Sequence, residues 1–284
     1  MKVTGVYANM KSSRPIALIG GYDLRSKSFY AKIKKIKKKS IFINVNNNKK
    51  IKRNGVFNYE IFHLKKILQT INKYKIVDIL FLGKIARPNF SNFKLDGEID
   101  KYMPKLFNSF KKGDGNILLT VLEIFSSKGY NIISPKDISE SFFFNKDELS
   151  SQISSKDKID INKSIKLLND LAKYDNAQAI VTINGYIIAI EAAEGTDSLL
   201  KRVSSIRKKL NQLENKAGLL TKIPKKNQSK LIDLPVIGLK TLRLIKKANL
   251  NGIVINPKFT IVHNKISFLR FARDYDLKIY SVLK

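Results

Sequence analysis

The sequence predicts two α/β domains, with a parallel sheet in the N-terminal one and a mixed sheet in the C-terminal one. Three observations predict this fold class. Short apolar runs stopped by glycine alternate with amphipathic stretches as far as residue 133. A segment rich in Ser, Lys and Asp, with no steady period, follows over 134–160. Beyond it, two alternating apolar runs flank Asn184-Gly185, the strongest short-range signal for a tight hairpin. A length of 284 residues suits two domains of ordinary size.

The elements follow in order. Residues 15–19 read as a buried strand stopped by Gly20-Gly21, residues 24–37 as a helix, and 40–45 as a second strand. Strand, glycine turn, helix and strand make a βαβ unit, so the first domain is Rossmann-like. Residues 46–54 read as a polar loop. Ile61, Leu64, Ile67, Leu68 and Ile71 have helix spacing over 59–74, with His63 inside that helix. A buried strand over 76–82 ends at Gly83, a helix spans 116–128 and a strand closes the half at 130–133. We place the Rossmann-like domain at 1–134, a linker at 135–155 and the second α/β domain at 156–284. In the latter, a helix at 161–173 precedes strands 179–183 and 186–190. A helix from about Asp197, a strand near 218–223 and a helix after Gly238 come next, then strands at 252–255 and 259–262. A helix over 266–275 and a strand at 278–283 complete the chain.

Composition narrows the function classes. Hydrophobic residues make up 43%, too many for a disordered polyelectrolyte, and with no Cys there is neither a thiolate metal site nor a cysteine nucleophile. Lys and Arg number 54 against 23 Asp and Glu, a formal net charge of +31. Lysine dominates that excess and is accompanied by abundant Asn and Ile. A genome biased to A/T-rich codons accounts for such a trend, as does a selected anionic-membrane or nucleic-acid surface. No stretch reaches the roughly 18 apolar residues of a membrane-spanning helix. The N-terminus lacks the apolar core of a secretory signal. A cytoplasmic protein, touching a membrane without crossing it, is the expectation.

Four places have residues suited to chemistry. Gly20-Gly21, between strand and helix, allows backbone N–H groups to approach a phosphate, though a tight turn needs the same residues. Gly83, Lys84 and Arg87 lie at the carboxyl end of the strand over 76–82, the edge where open parallel sheets bind ligands. Glu191, Glu194 and Asp197 cluster around Gly195 and Thr196 in a chain poor in acids. These carboxylates suit Mg²⁺, and the same run suits ordinary capping, with Thr196 as N-cap and Asp197 in the first helical turn. Asp233 is the single acid between Glu214 and Asp274. It stands among lysines before Leu234-Pro235-Val236-Ile237-Gly238, placed as a metal ligand or general base or as a surface partner of lysine. His63 and His263 are isolated, so zinc chemistry is not expected. The remaining inventory of carboxylates, lysines and glycine turns suits hydrolysis of a phosphoanhydride.

Several segments together carry a family resemblance. They are Asn176-Ala177-Gln178-Ala179-Ile180-Val181, Ile190-Glu191-Ala192-Ala193-Glu194-Gly195-Thr196-Asp197 and Asp233-Leu234-Pro235-Val236-Ile237-Gly238. Gly83-Lys84-Ile85-Ala86-Arg87-Pro88-Asn89-Phe90 and Lys112-Gly113-Asp114-Gly115 fit the same pattern in the N-terminal half. In these residues the chain resembles the UDP-2,3-diacylglucosamine pyrophosphatases of lipid A biosynthesis, the form unrelated to calcineurin-like metallophosphoesterases. The resemblance runs from about residue 15 to the end.

The resemblance implies cleavage of a UDP-diacylglucosamine lipid to UMP and an acylated sugar 1-phosphate, with Mg²⁺ or another divalent cation. It implies that Asp233 is the essential carboxylate and that Thr196 lies close to the diphosphate. Asp233, with Glu194 or Asp197, would hold the metal, while Lys222 and Lys225 offset diphosphate charge. Gly20, Gly21, Gly83, Arg87, Gln178, Glu194, Gly195 and Gln228 would line the substrate. A dry cleft between the domains would take the acyl chains, and the enzyme would touch the inner face of the inner membrane peripherally. A homodimer is compatible with this picture, and nucleic acid is not an expected partner. Two departures stand out. Tyr22-Asp23-Leu24 lacks a proline expected after the glycines, and Ser229 and Leu231 replace an acid and an arginine. They leave open a sensor that kept the pocket and lost catalysis, and the charge leaves open a basic nucleic-acid binder.

Overall fold

A computed structural model describes residues 14–46, 50–61, 63–83, 97–110, 114–174, 177–210, 215–225, 231–232 and 234–282. Contacts divide the chain into two compact units. The first comprises Met1–Lys111 and Asn116–Ser139, and the second Lys112–Gly115 and Glu140–Lys284.

The first unit is built on β1 (Ile16–Gly20), α1 (Leu24–Ile36), β2 (Ile41–Asn44), β3 (Val56–Asn58), α2 (Leu64–Lys73) and β4 (Asp78–Phe81). It continues with α3 (Met103–Phe110), α4 (Asp114–Ser127), β5 (Asn131–Ile132) and the single-turn α5 (Pro135–Ile138). Every strand pairing is parallel and the order is β3-β2-β1-β4-β5, the doubly wound arrangement expected of a Rossmann-like domain. β1, β2 and β4 are buried along their whole length, which is why apolar residues stand consecutively along them instead of alternating with polar ones.

The sequence order reverses between β1 and β4, and three glycines make the crossing possible. A methyl at Gly20 would stand 2.0 Å from the Leu82 carbonyl oxygen, and one at Gly83, whose φ is +116°, would stand 2.3 Å from that of Gly21. The two backbones touch where other residues would hold them apart.

Two differences from the sequence expectation have local causes. Part of the stretch after the polar loop is the edge strand β3, and α2 begins at Leu64 rather than at residue 59. The Asn58 side chain closes the loop, accepting from Ile51 N–H at 2.8 Å and donating to its carbonyl at 2.9 Å. Tyr59 N–H then bonds to the Asn44 carbonyl at 3.0 Å, so the chain is still sheet-bonded there. His63 is accordingly the N-cap of α2, not an interior residue.

The second unit contains α6 (Ser155–Leu171), β6 (Ala179–Ile183), β7 (Tyr186–Ile190), α7 (Thr196–Lys209), β8 (Leu219–Lys222), β9 (Val236–Gly238) and α8 (Leu239–Lys247). It ends with β10 (Gly252–Ile255), β11 (Ile261–His263), α9 (Lys265–Asp274) and β12 (Lys278–Ser281). The main sheet has the order β12-β10-β8-β6-β7. β8, β10 and β12 run parallel and β6 runs against both β7 and β8, so the sheet is mixed. β9 and β11 form a separate parallel pair. One large apolar cluster, including Val181, Leu199, Leu220, Leu242, Ile253 and Phe268, packs the helices onto the sheet.

The segment expected as a linker at 135–155 is shared between the units at Ser139/Glu140. Phe144 is 7% exposed and meets Phe268 edge-on at 5.6 Å, and the Ser150 N–H bonds to the Ile279 carbonyl. From Glu140 onward the irregular composition reflects turns pinned one by one to the second unit. α6 also starts earlier than expected, because Ser154 accepts from the Asp157 N–H and caps it. No helix among the described residues is long and apolar enough to cross a membrane.

Candidate functional site

At the carboxyl edge of β7 and β8 the second unit brings a carboxylate, a hydroxyl and an ammonium together. β6 runs antiparallel to both, so its first residue, Ala179, lies at that edge with a neighbour on each side. Lys222 is its register partner on β8. On the other side, the Glu191 N–H bonds to the Ala179 carbonyl at 2.9 Å. Residues directly opposite in antiparallel strands project to the same face. Glu191 and Lys222 therefore stand on one face, with the small side chain of Ala179 between them.

A bulge is what puts them there. The β6–β7 register begins with Ile183 opposite Tyr186 and Thr182 opposite Ile187, then shifts so that Val181 faces Ala189 and Ile180 faces Ile190. A regular hairpin would have set Glu191 opposite Gln178, on the other face. The extra residue turns it to the face of Lys222.

Thr196 completes the group from the start of α7. Its hydroxyl meets a Glu191 carboxylate oxygen at 2.6 Å, and the Lys222 ammonium donates to the same hydroxyl oxygen. The ammonium is 3.8 Å from that carboxylate oxygen, and both side chains are about nine-tenths buried, at 10% and 11% exposure. The chemistry dictates the proton order. Ionised carboxylate only accepts and ammonium only donates, so the Thr196 hydroxyl gives its proton to Glu191 and accepts from Lys222. Thr196 is thus the first helical residue, and the N-cap is Gly195, with φ +79° and no side chain to offer. That corrects the expected cap at Thr196. The hydroxyl is engaged with Glu191, not with the helix backbone.

The neighbouring acids are also in use. The carboxylate of Glu194 accepts from Arg202 at 2.7 Å and from the Ala192 N–H at 3.0 Å. Its own backbone N–H holds its pKa below the usual carboxylate range, with Arg202 and the Ala192 N–H adding to this against desolvation. Asp197 sits in the first turn of α7, as expected, and pairs with Lys240 at 2.7 Å. Among the described residues no three of His, Asp and Glu are grouped to hold a metal ion. Gln178 precedes β6 at the same edge, its carbonyl accepting from Ile223 N–H at 3.2 Å, and half-buried Lys225 follows shortly after β8. Arg87, Gln228, Ser229 and Asp233 lie outside the described residues. So the structure brings Thr196 and Lys222 together, directs Glu194 and Asp197 to other partners, and adds Glu191, which the sequence reading had considered only as one of three clustered acids.

In the first unit, Gly20, Gly21 and Gly83 meet at the switch point described above. The nearby start of α1 already has an anion of its own. Asp23 accepts from Arg25 N–H at 2.9 Å and Ser26 N–H at 3.0 Å, and the Arg25 guanidinium reaches its other oxygen at 2.7 Å. The glycines thus have a packing role that stands without a ligand.

A cavity of about 300 Å³ opens at the opposite edge of the second unit's sheet, lined by Asp157, Asp160, Asn184, Lys216 and Asn251 among others. Its carboxylates serve the fold. Asp157 accepts from Tyr280 and Asn251, and Asp160 from the turn N–H groups of Asn184 and Gly185.

Comparison with known proteins accounts for both units. Residues 15–142 match the family model described as the LpxI N-terminal domain, and residues 147–280 match the LpxI C-terminal domain. The chain belongs to the LpxI family. Among curated LpxI proteins, the UDP-2,3-diacylglucosamine pyrophosphatase LpxI of Caulobacter vibrioides is 29% identical over 206 residues, 72% of this chain and 74% of that protein. The two LpxI domain matches meet between residues 142 and 147, close to the division of the fold at Ser139/Glu140.

Proposed function

We propose that this chain hydrolyses the diphosphate of UDP-2,3-diacylglucosamine, releasing UMP and 2,3-diacylglucosamine 1-phosphate in lipid A biosynthesis. The observation that carries the reading is the pairing of Lys222 with Thr196 at a sheet's carboxyl edge, in a chain whose halves match both LpxI domains. Cleaving a phosphoanhydride develops charge on phosphate oxygens, and preorganised cations in a partly dry site are the strongest general means of stabilising it. Lys222 is such a cation. Lys225 extends the positive edge, Gln178 and Gly195 line it, Arg87 and Gln228 are assigned to substrate, and Asp233 is the carboxylate that the family pattern implies to be essential.

Mg²⁺ belongs to the proposal in a particular form. The ion is usually held by one or two carboxylates together with substrate phosphates, not by an all-protein cage. We therefore assign its protein ligand to Asp233 and the rest of its shell to diphosphate and water, with Glu194 and Asp197 left to their cationic partners. Bound there, the ion would withdraw charge from the diphosphate. The substrate's two acyl chains keep it in a bilayer, so the enzyme works by peripheral contact with the cytoplasmic face of the inner membrane. A formal charge of +31 favours an anionic leaflet, at about 1 kcal/mol for each lysine near the surface.

The test is UMP release from UDP-2,3-diacylglucosamine by the purified protein, with Mg²⁺ and then with a chelator. Metal-dependent UMP that disappears in Asp233→Ala, with the circular-dichroism melt nearly unchanged, is the expected result. Substrate binding without UMP would replace the hydrolase by a sensor, and a large drop in melting temperature would make Asp233 structural.

A further inference from the structure

The Glu191 carboxylate has no role in the chemistry so far, yet it is buried on the same face as the two groups that do. We infer that Glu191 is a positioning residue for Thr196 and Lys222, an inference that rests on the pyrophosphatase reading. Three observations carry it. Glu191 holds the Thr196 hydroxyl at 2.6 Å. The same carboxylate oxygen lies 3.8 Å from the Lys222 ammonium, which donates to that hydroxyl. A β-bulge, not side-chain flexibility, sets the acid on this face.

The arrangement has a direct chemical consequence. With its proton committed to Glu191 and one lone pair to Lys222, the Thr196 oxygen keeps a single free lone pair of fixed direction. In that state Thr196 accepts a hydrogen bond and does not donate one to a phosphate oxygen. It is suited to orient a donor at the diphosphate, such as the attacking water. Glu191 also compensates the Lys222 charge while no diphosphate is present, so the ammonium stays at the sheet edge instead of turning to solvent. Its effect on the reaction runs through those two side chains, without contact with the reacting atoms.

A double-mutant comparison tests this. UMP release is measured with Mg²⁺ for the wild type, Glu191→Ala, Glu191→Gln, Thr196→Val and the pair Glu191→Ala/Thr196→Val, with a thermal melt of each. Glu191→Ala is expected to lower kcat by about tenfold or more, with KM changed much less. Glu191→Gln retains an oxygen that accepts from Thr196 and is expected to recover most of that loss. Glu191→Ala should cost much less in the Thr196→Val background than in the wild type, because the part of its effect that runs through the hydroxyl is already gone. Losses that multiply in the pair, no recovery with Gln, or an unchanged kcat in Glu191→Ala would each overturn the assignment, even with an active wild type. A wild type that releases no UMP would overturn the functional reading itself and the positioning role with it.

Discussion

The carboxylate of Asp160, on α6, accepts the backbone N–H of Gly185 at 2.6 Å. It takes the N–H of Asn184 as well, at 3.2 Å. Both turn residues have positive φ, 49° and 80°, the conformation of a two-residue hairpin whose twist matches its strands. One helix side chain thereby fixes the hairpin whose far end holds Glu191.

This relationship predicts a pH dependence of stability. Asp160 is 1% exposed, and burial raises its pKa above the ordinary 3.8, more than the two turn N–H bonds lower it. The folded state then binds the proton more tightly than the unfolded chain. Its contribution to stability is fully present below pH 3.8 and is lost as pH rises through the raised folded value. Asp160→Asn removes the titration. Thermal melts from about pH 4 to about pH 7 should show the stability of the wild type relative to the variant falling with pH. A constant difference would remove Asp160 as its source.

Lys222→Met keeps most of the apolar stem and removes the charge. A hydrogen bond to a charged group contributes about 1.5–3 kcal/mol, so kcat/KM should fall by about 10- to 100-fold. Lys222→Arg should recover little, because a planar fork does not replace a compact ammonium seated on one hydroxyl. Steady-state UMP release checks both variants.

Gly20→Ala should destabilise the first unit by about 1–3 kcal/mol or prevent its folding. The methyl has nowhere to go beside the Leu82 carbonyl, a backbone atom only 2.0 Å from its position. Denaturant titration reports the loss. A variant of full stability would show that β1 and β4 do not approach as closely as described.

Arg207 is 2% exposed and its guanidinium donates to the carbonyls of Ala248, Asn249 and Asn215 at 2.7, 2.6 and 2.6 Å. Ala248 is the C-cap of α8 and Asn249 follows it, where helices leave acceptors unsatisfied, while Asn215 lies in the segment before β8. Arg207→Met removes their shared donor, leaving the Asn249 carbonyl with the Ala217 N–H at 3.2 Å, and should cost about 3 kcal/mol or more in a denaturant melt of the whole chain. Arg207→Lys should recover less than half of the loss, since one ammonium cannot reach three carbonyls in a plane.

Much of the architecture was legible because buried strands and amphipathic helices leave strong local patterns. Residues 179–183 and 186–190 were read with the bounds that the fold shows, since Asn184-Gly185 names its own turn. β3 and β9 were not read, since what makes them strands is their pairing with β2 and β11 rather than a local pattern. The segment 135–155 resembled a linker because its contacts with the rest of each unit, such as Phe144 with Phe268, join residues far apart in sequence.

Composition and short-range periodicity are local properties, so the residue types available for chemistry and most of the order of strands and helices could be taken from the sequence. It also carried the family resemblance, on segments that include Glu191, Thr196 and Asp233. Which acid of that run stands beside Lys222 depends instead on how β6 and β7 pair in three dimensions. Counting outward from Asn184-Gly185 in regular register points Glu191 away from Lys222. The shift between Val181 and Thr182 turns it back, and a one-residue slip in a ladder exchanges the two faces of a sheet. Such a slip is settled by packing across the whole sheet and leaves no mark on the residues it reorients.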